Sequence, residues 1–94
     1  MRIVIVEDEL LTAEDLAETL MTLNPMIEIV KILPSVKKAI DFFTENTNYD
    51  LIFSDIQLQD GQSFEIYKRV TLSTPIIFCT AYNEYALEAI KNNS

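Results

Sequence analysis

The stretch "YDLIFSDIQLQDG", Tyr49 to Gly61, sets Leu51, Ile52 and Phe53 in a row and then ends on a carboxylate, Asp55. Burying an unpaired ionised carboxylate costs on the order of several kcal/mol, so an apolar strand here must carry Asp55 out to its own end. Asp60-Gly61 supplies a turn, and Phe64, Tyr67 and Val70 recur behind it with helical spacing. Strand, turn and helix in that order make one βα unit.

The unit repeats on both sides. Ile3-Val4-Ile5-Val6 is apolar and β-branched throughout, the pattern of a strand buried on both faces of a parallel sheet. Leu16, Leu20 and Leu23 follow at i, i+4 and i+7, with Ala13 and Ala17 beside them and Glu14, Asp15 and Glu18 on the other side, which is an amphipathic helix. Ile27 to Ile32 reads as a strand interrupted by Glu28 and Lys31, hence an edge strand, and Pro34-Ser35 leads into a helix N-capped by Ser35. That helix places Val36, Ile40 and Phe43 on one face and breaks at Asn46-Thr47-Asn48. A fourth strand starts at Pro75 and runs from Ile76 to Cys79, before a helix from near Asn83 with Ala86, Leu87 and Ile90 inward. Right-handed crossovers make the four strands parallel with helices on both faces, a doubly wound α/β fold.

With 94 residues the chain is expected to be one domain, and no apolar run is long enough for a membrane span or a signal peptide, so a cytoplasmic protein is expected. The net charge of −8 opposes nucleic-acid binding by this segment. No histidine is present, which removes imidazole catalysis and His ligation, and the single glycine, Gly61, cannot write a phosphate-binding loop. The lone cysteine, Cys79, lies in an apolar run and reads as core packing.

Parallel strands all finish at one edge, where ligands bind in sheets of this kind. The residues just past each strand therefore compose the site: Glu7 and Asp8 after the first, Asp55 at the third, Thr80 after the fourth. Two carboxylates about 5 Å apart repel by roughly 3 kcal/mol at an effective dielectric near 20, and a divalent cation offsets this. An all-oxygen set suits Mg²⁺ or Mn²⁺, and such an ion also binds phosphate oxygens, with an aspartate beside it able to act as nucleophile. Each piece has a plainer reading. Glu7-Asp8-Glu9 also suits a helix N-terminus, Asp55 and Thr80 also suit caps, Tyr82 and Tyr85 suit packing, and Glu84, Glu88 and Lys91 suit a solvated face. Convergence from three strands favours a site.

Three segments, "RIVIVEDE", "DLIFSDIQL" and "TPIIFCTAY", make the whole chain resemble the receiver domain of two-component response regulators. The wording "TAYNEYALEAIK" is most similar to receivers joined to LytTR-type DNA-binding domains. The resemblance implies a flavodoxin-like, CheY-like fold with strand order 2-1-3-4, spanning 1–94 but lacking the family's fifth strand and fifth helix. It implies that Asp55 accepts a phosphoryl group from a sensor histidine kinase, that Asp8 binds Mg²⁺ (or Mn²⁺) directly and Glu7 largely through water, and that the backbone carbonyl of Gln57 is a further ligand. The resemblance also implies that Thr80 contacts the phosphoryl oxygens and that small Ala81 leaves access to Asp55. Such a domain self-catalyses phosphoryl transfer and hydrolysis and is not a turnover enzyme. The resemblance further implies that the phosphoryl group switches an output or dimerisation surface and that DNA would be reached only through an output domain absent from this chain.

Departures from the family pattern fall in three places. Glu7 replaces a common aspartate, and the loop after Asp55 has Gln59 and Ser63 where the family often has proline and glycine, with Gly61 placed earlier. The 94 residues stop short of the positions of the family's fifth-strand lysine and aromatic switch residue, and Lys91, within the expected fourth helix, does not replace that lysine. The open edge of Ile76 to Cys79 is expected to favour self-association or strand exchange, making a homo-oligomer. A phosphorylation-independent interaction module is the alternative function. An aspartyl-phosphate phosphatase of the haloacid-dehalogenase kind is disfavoured, because Gln57 stands where its second aspartate belongs.

Overall fold

The computed structural model describes residues 1–79. In chain order it forms β1 (Arg2–Val6), α1 (Leu10–Leu23), β2 (Glu28–Leu33), α2 (Val36–Glu45), β3 (Leu51–Asp55), β4 (Gln57–Leu58), β5 (Gly61–Gln62), α3 (Phe64–Arg69) and β6 (Ile76–Cys79). The four longer strands make one parallel sheet in the order β2-β1-β3-β6, which is the expected 2-1-3-4, while β4 and β5 form a small antiparallel hairpin. The helical connections between successive strands of this sheet account for the parallel sense.

Strand alternation divides the core in two. Ile3 and Ile5 of β1 pack against Ala13 and Ala17 of α1, whereas Val4 and Val6 join Ala39, Phe43, Ile52, Leu58 and Ile66 on the face covered by α2 and α3. Each fully buried Ile or Val contributes about 1.5–3 kcal/mol, so β1, buried on both faces, anchors the sheet. On the α2 side Phe43 packs its ring 5.4 Å from Tyr49 and 6.4 Å from Tyr67. The Ser35 cap is present, its hydroxyl accepting Lys38 N–H at 3.1 Å.

Two sequence expectations are corrected. Leu23 is 78% exposed, because α1 ends there at the Asn24 cap and the residue lies past the packed face. On α3 the fully buried residue is Ile66, not Phe64, which is 43% exposed and touches Phe78 with ring centres 5.1 Å apart. The helix is only six residues long, so Ile66 alone reaches the centre of its contact, with Tyr67 and Val70 at its margin. The turn expected at Asp60-Gly61 is present as the tip of a hairpin that pairs Gln57 with Gln62 and Leu58 with Gly61.

β2 is an edge strand as its charges suggest, but its pairing with β1 is broken by one residue. Ile3 pairs with Ile29 and Val4 with Lys31, so Val30 is extra. This bulge lets Ile27, Ile29 and Ile32 all reach the α1 face while Val30 and Leu33 reach the other. The expected fourth helix, with Ala86, Leu87 and Ile90, lies outside the described residues. Among the described residues no helix is long and apolar enough to cross a membrane.

Candidate functional site

Pairing of Val6 with Ser54 brings the ends of β1 and β3 side by side, so Glu7 and Asp8 leave the sheet next to Asp55. Carboxylate oxygens of Glu7, Asp8 and Asp55 all lie within 4.8 Å of one another, and all three residues are half-buried. Burial, with the neighbouring acids, acts most visibly on Glu7. Burial is the largest cause raising its carboxyl from 4.5 to about 7, a hydrogen bond from Glu9 N–H to Oε2 (3.1 Å) opposes the rise, and Asp8 and Asp55 reinforce it. Near neutrality the cluster thus relieves part of its charge by holding a proton. A divalent cation does the same more completely, and three oxygen donors without His or Cys fit a hard ion.

Asp55 is fixed locally. Its Oδ1 accepts the Ile56 N–H at 2.7 Å, and the buried Ser54 hydroxyl donates to its main-chain carbonyl at 3.0 Å. The loop beyond it is closed by Ser63, whose N–H and hydroxyl both donate to the Ile56 carbonyl at 2.9 and 3.3 Å. Within that loop Gly61 has φ of +145°, a conformation that side-chain-bearing residues rarely adopt. Asp60 reaches outward to α2: Oδ1 accepts Val36 N–H at 2.8 Å and Oδ2 accepts Lys37 N–H at 3.1 Å. These bonds, Val36 first, hold its carboxyl below the usual carboxylate range.

Of the residues expected at the site, Glu7, Asp8 and Asp55 meet. Gln57 follows two residues after Asp55 in β4, its exposed side chain donating to the Leu58 carbonyl at 3.2 Å. Thr80, Ala81, Tyr82 and Tyr85 lie outside the described residues. Cys79 is half-buried and paired in register with Asp55, with burial chiefly, and then Asp55 and Glu7, pushing its thiol up. It therefore borders the acidic cluster as well as the core. Asp60 and Ser63 were not foreseen as structural partners: Asp60 reads locally as a turn former, and its contacts lie more than twenty positions away in sequence.

The response regulator receiver domain family matches residues 3–93. The sensory transduction protein LytT of Bacillus subtilis (strain 168) is 35% identical over 94 residues, covering 97% of this chain and 38% of that protein. Among solved structures, the response regulatory domain of mrkE from Klebsiella pneumoniae superposes with a TM-score of 0.72 at 29% identity, covering 100% of this chain and 78% of that one. The response regulator PhyR from Brucella abortus gives a TM-score of 0.68 at 31% identity, covering 89% of this chain and 35% of that one. The chain spans 37 to 39% of the length of the LytT proteins it matches. Its acidic cluster is typical of the phosphoaspartate and Mg²⁺ site of two-component response regulators, which self-catalyse phosphoryl transfer and hydrolysis without being turnover enzymes. A parallel βα sheet in the order β2-β1-β3-β6, three carboxylates gathered at its edge and similarity over residues 3–93 agree, and the chain belongs to the response regulator receiver domain family.

Proposed function

We propose that Asp55 is the phosphoryl acceptor of a two-component relay whose donor is the phosphohistidine of a sensor histidine kinase. The observation that carries this reading is the approach of the Glu7, Asp8 and Asp55 oxygens to within 4.8 Å at the end of an apolar strand. With Oδ1 engaged by Ile56 N–H, Oδ2 is the oxygen that meets phosphorus. The new O–P bond forms as the donor's N–P bond breaks, the electron pair stays on the histidine nitrogen, and that nitrogen takes up a proton.

Asp8, the Asp55 carboxylate, the Gln57 carbonyl and, through water, Glu7 would hold Mg²⁺ or Mn²⁺. When bound, that ion screens the carboxylates from an incoming dianion and neutralises charge on the transferring group. Thr80 directly follows β6, whose last residue pairs with Asp55, and that register supports a role for its hydroxyl on the phosphoryl oxygens, with Ala81 leaving access. The added charge of roughly −1.5 to −2 biases an output or dimerisation surface. A second copy is a further partner, because among the described residues β6 pairs with β3 alone.

Intact mass after incubation with acetyl phosphate and Mg²⁺ tests the acceptor. One added phosphoryl group, absent in Asp55→Asn, is expected. An adduct that survives Asp55→Asn overturns the reading, as does no adduct at all, which leaves the phosphorylation-independent interaction module. Sedimentation at rising concentration tests the second copy, and a monomer throughout removes it.

A further inference from the structure

The loop from Ile56 to Ser63 lacks the proline at 59 and the glycine at 63 that often shape it in this family, yet it is closely held. Two ties hold it. Ser63 closes it on itself through the Ile56 carbonyl, and Asp60 fastens its tip to the start of α2 by two hydrogen bonds, at 2.8 and 3.1 Å. Gly61, at φ +145°, makes the bend that lets Asp60 reach, and a Cβ built there would lie 3.7 Å from Val36 Cγ2. Leu58, 2% exposed, plugs the loop into the core beside α2 and α3.

We propose that Asp60 is a positioning residue for the metal site: by latching the loop to α2 it fixes the path of Gln57, whose carbonyl is the ligand proposed above. This rests on that reading of the site. The bonds join the loop that leaves Asp55 to a helix on the far side of β3 in sequence, so they restrain the loop from outside the cluster. A hydrogen-bonded carboxylate at helix N–H groups is a strong tether, because the acceptor is charged and the helix dipole favours it. The same two donors also make Asp60 a helix cap, and the two roles need separating.

Ser35→Ala provides the separation, because the Ser35 hydroxyl caps the same helix by accepting Lys38 N–H, a bond that does not involve the loop. Mn²⁺ binding followed by electron paramagnetic resonance, with urea midpoints recorded in parallel, is the experiment. Both Asp60→Ala and Ser35→Ala lower the urea midpoint. Only Asp60→Ala is expected to weaken Mn²⁺ binding, on the order of tenfold, as for residues that orient metal ligands. Asp60→Asn, keeping one oxygen for Val36 N–H, falls between. Hydrogen exchange at the Ser63 amide should quicken in Asp60→Ala and stay parental in Ser35→Ala. Equal Mn²⁺ affinities in the two alanine variants overturn the positioning role while leaving the proposed function intact. A parent chain that binds no Mn²⁺ and accepts no phosphoryl group overturns both.

Discussion

Helices α1 and α2 both start at the carboxyl edge of the sheet, and their first turns are built in opposite ways. At α2 the first four N–H groups are all engaged: Val36 and Lys37 by Asp60, Lys38 by the Ser35 hydroxyl and Ala39 by the Ser35 carbonyl. At α1 the N-cap residue Glu9 makes no side-chain cap, and the acids ahead of it turn to one another and to Asp55 instead. Leu10 and Leu11 beyond them are 63% and 77% exposed. One helix start is sealed as scaffold and the other is left open beside the acids. A site that must admit a cation and a phosphoryl donor needs an open start of this kind, and a rigid neighbour to hold its loop.

The contrast can be broken most forcefully at Gly61. Gly61→Val forces a branched residue to φ +145° and should cost about 1–3 kcal/mol in urea unfolding, whereas Leu10→Ser at the open start should stay within about 0.5 kcal/mol. Equal losses would mean that the two starts are not differently built.

Acidity sharpens the comparison, because the two ends respond to pH with opposite sign. Glu7 is raised in the fold, so the native chain binds more protons than the unfolded one, and metal-free stability falls as pH rises from about 4.5 towards 7. Glu7→Gln should therefore melt higher than the parent at pH 8 and alike at pH 4, by an amount that solvent screening keeps to about 1 kcal/mol or less. Asp60 is lowered, so its contribution is present above the unfolded value of 3.8 and disappears as pH falls below it. Asp60→Asn should then lose its disadvantage in melts at acidic pH. The smallest effect is a gain: Glu9→Ser gives α1 a cap of the kind α2 has, raising stability by about 0.5 kcal/mol without touching Asp8 or Asp55, as urea midpoints would record.

The sheet was legible because its strands are uniform. β1 is apolar at every position and had to be central, and the charges of Glu28 and Lys31 had to place β2 at an edge. Glu7, Asp8 and Asp55 were legible because a parallel sheet sends all its carboxyl ends one way. What local patterns did not contain was the long-range tie of Asp60 to Val36 and Lys37, and the turn of α3 that buries Ile66 ahead of Phe64. Both depend on the hairpin path between Asp55 and Ser63, where no run of side chains announces the partner.

The bulge in β2 bears on which changes of chain length the fold accepts. Removing Lys31 would let Val30 pair with Val4 while Ile32 and Leu33 keep their present partners Ile5 and Val6. Every apolar side chain of the strand would then keep its face, and the deletion should leave the melting transition near the parent's. Removing Val4 from β1 would instead turn part of a doubly buried strand inside out. One strand of this sheet can lose a residue and its neighbour cannot, so insertions and deletions among relatives should collect at residues 30 and 31 and spare residues 3 to 6.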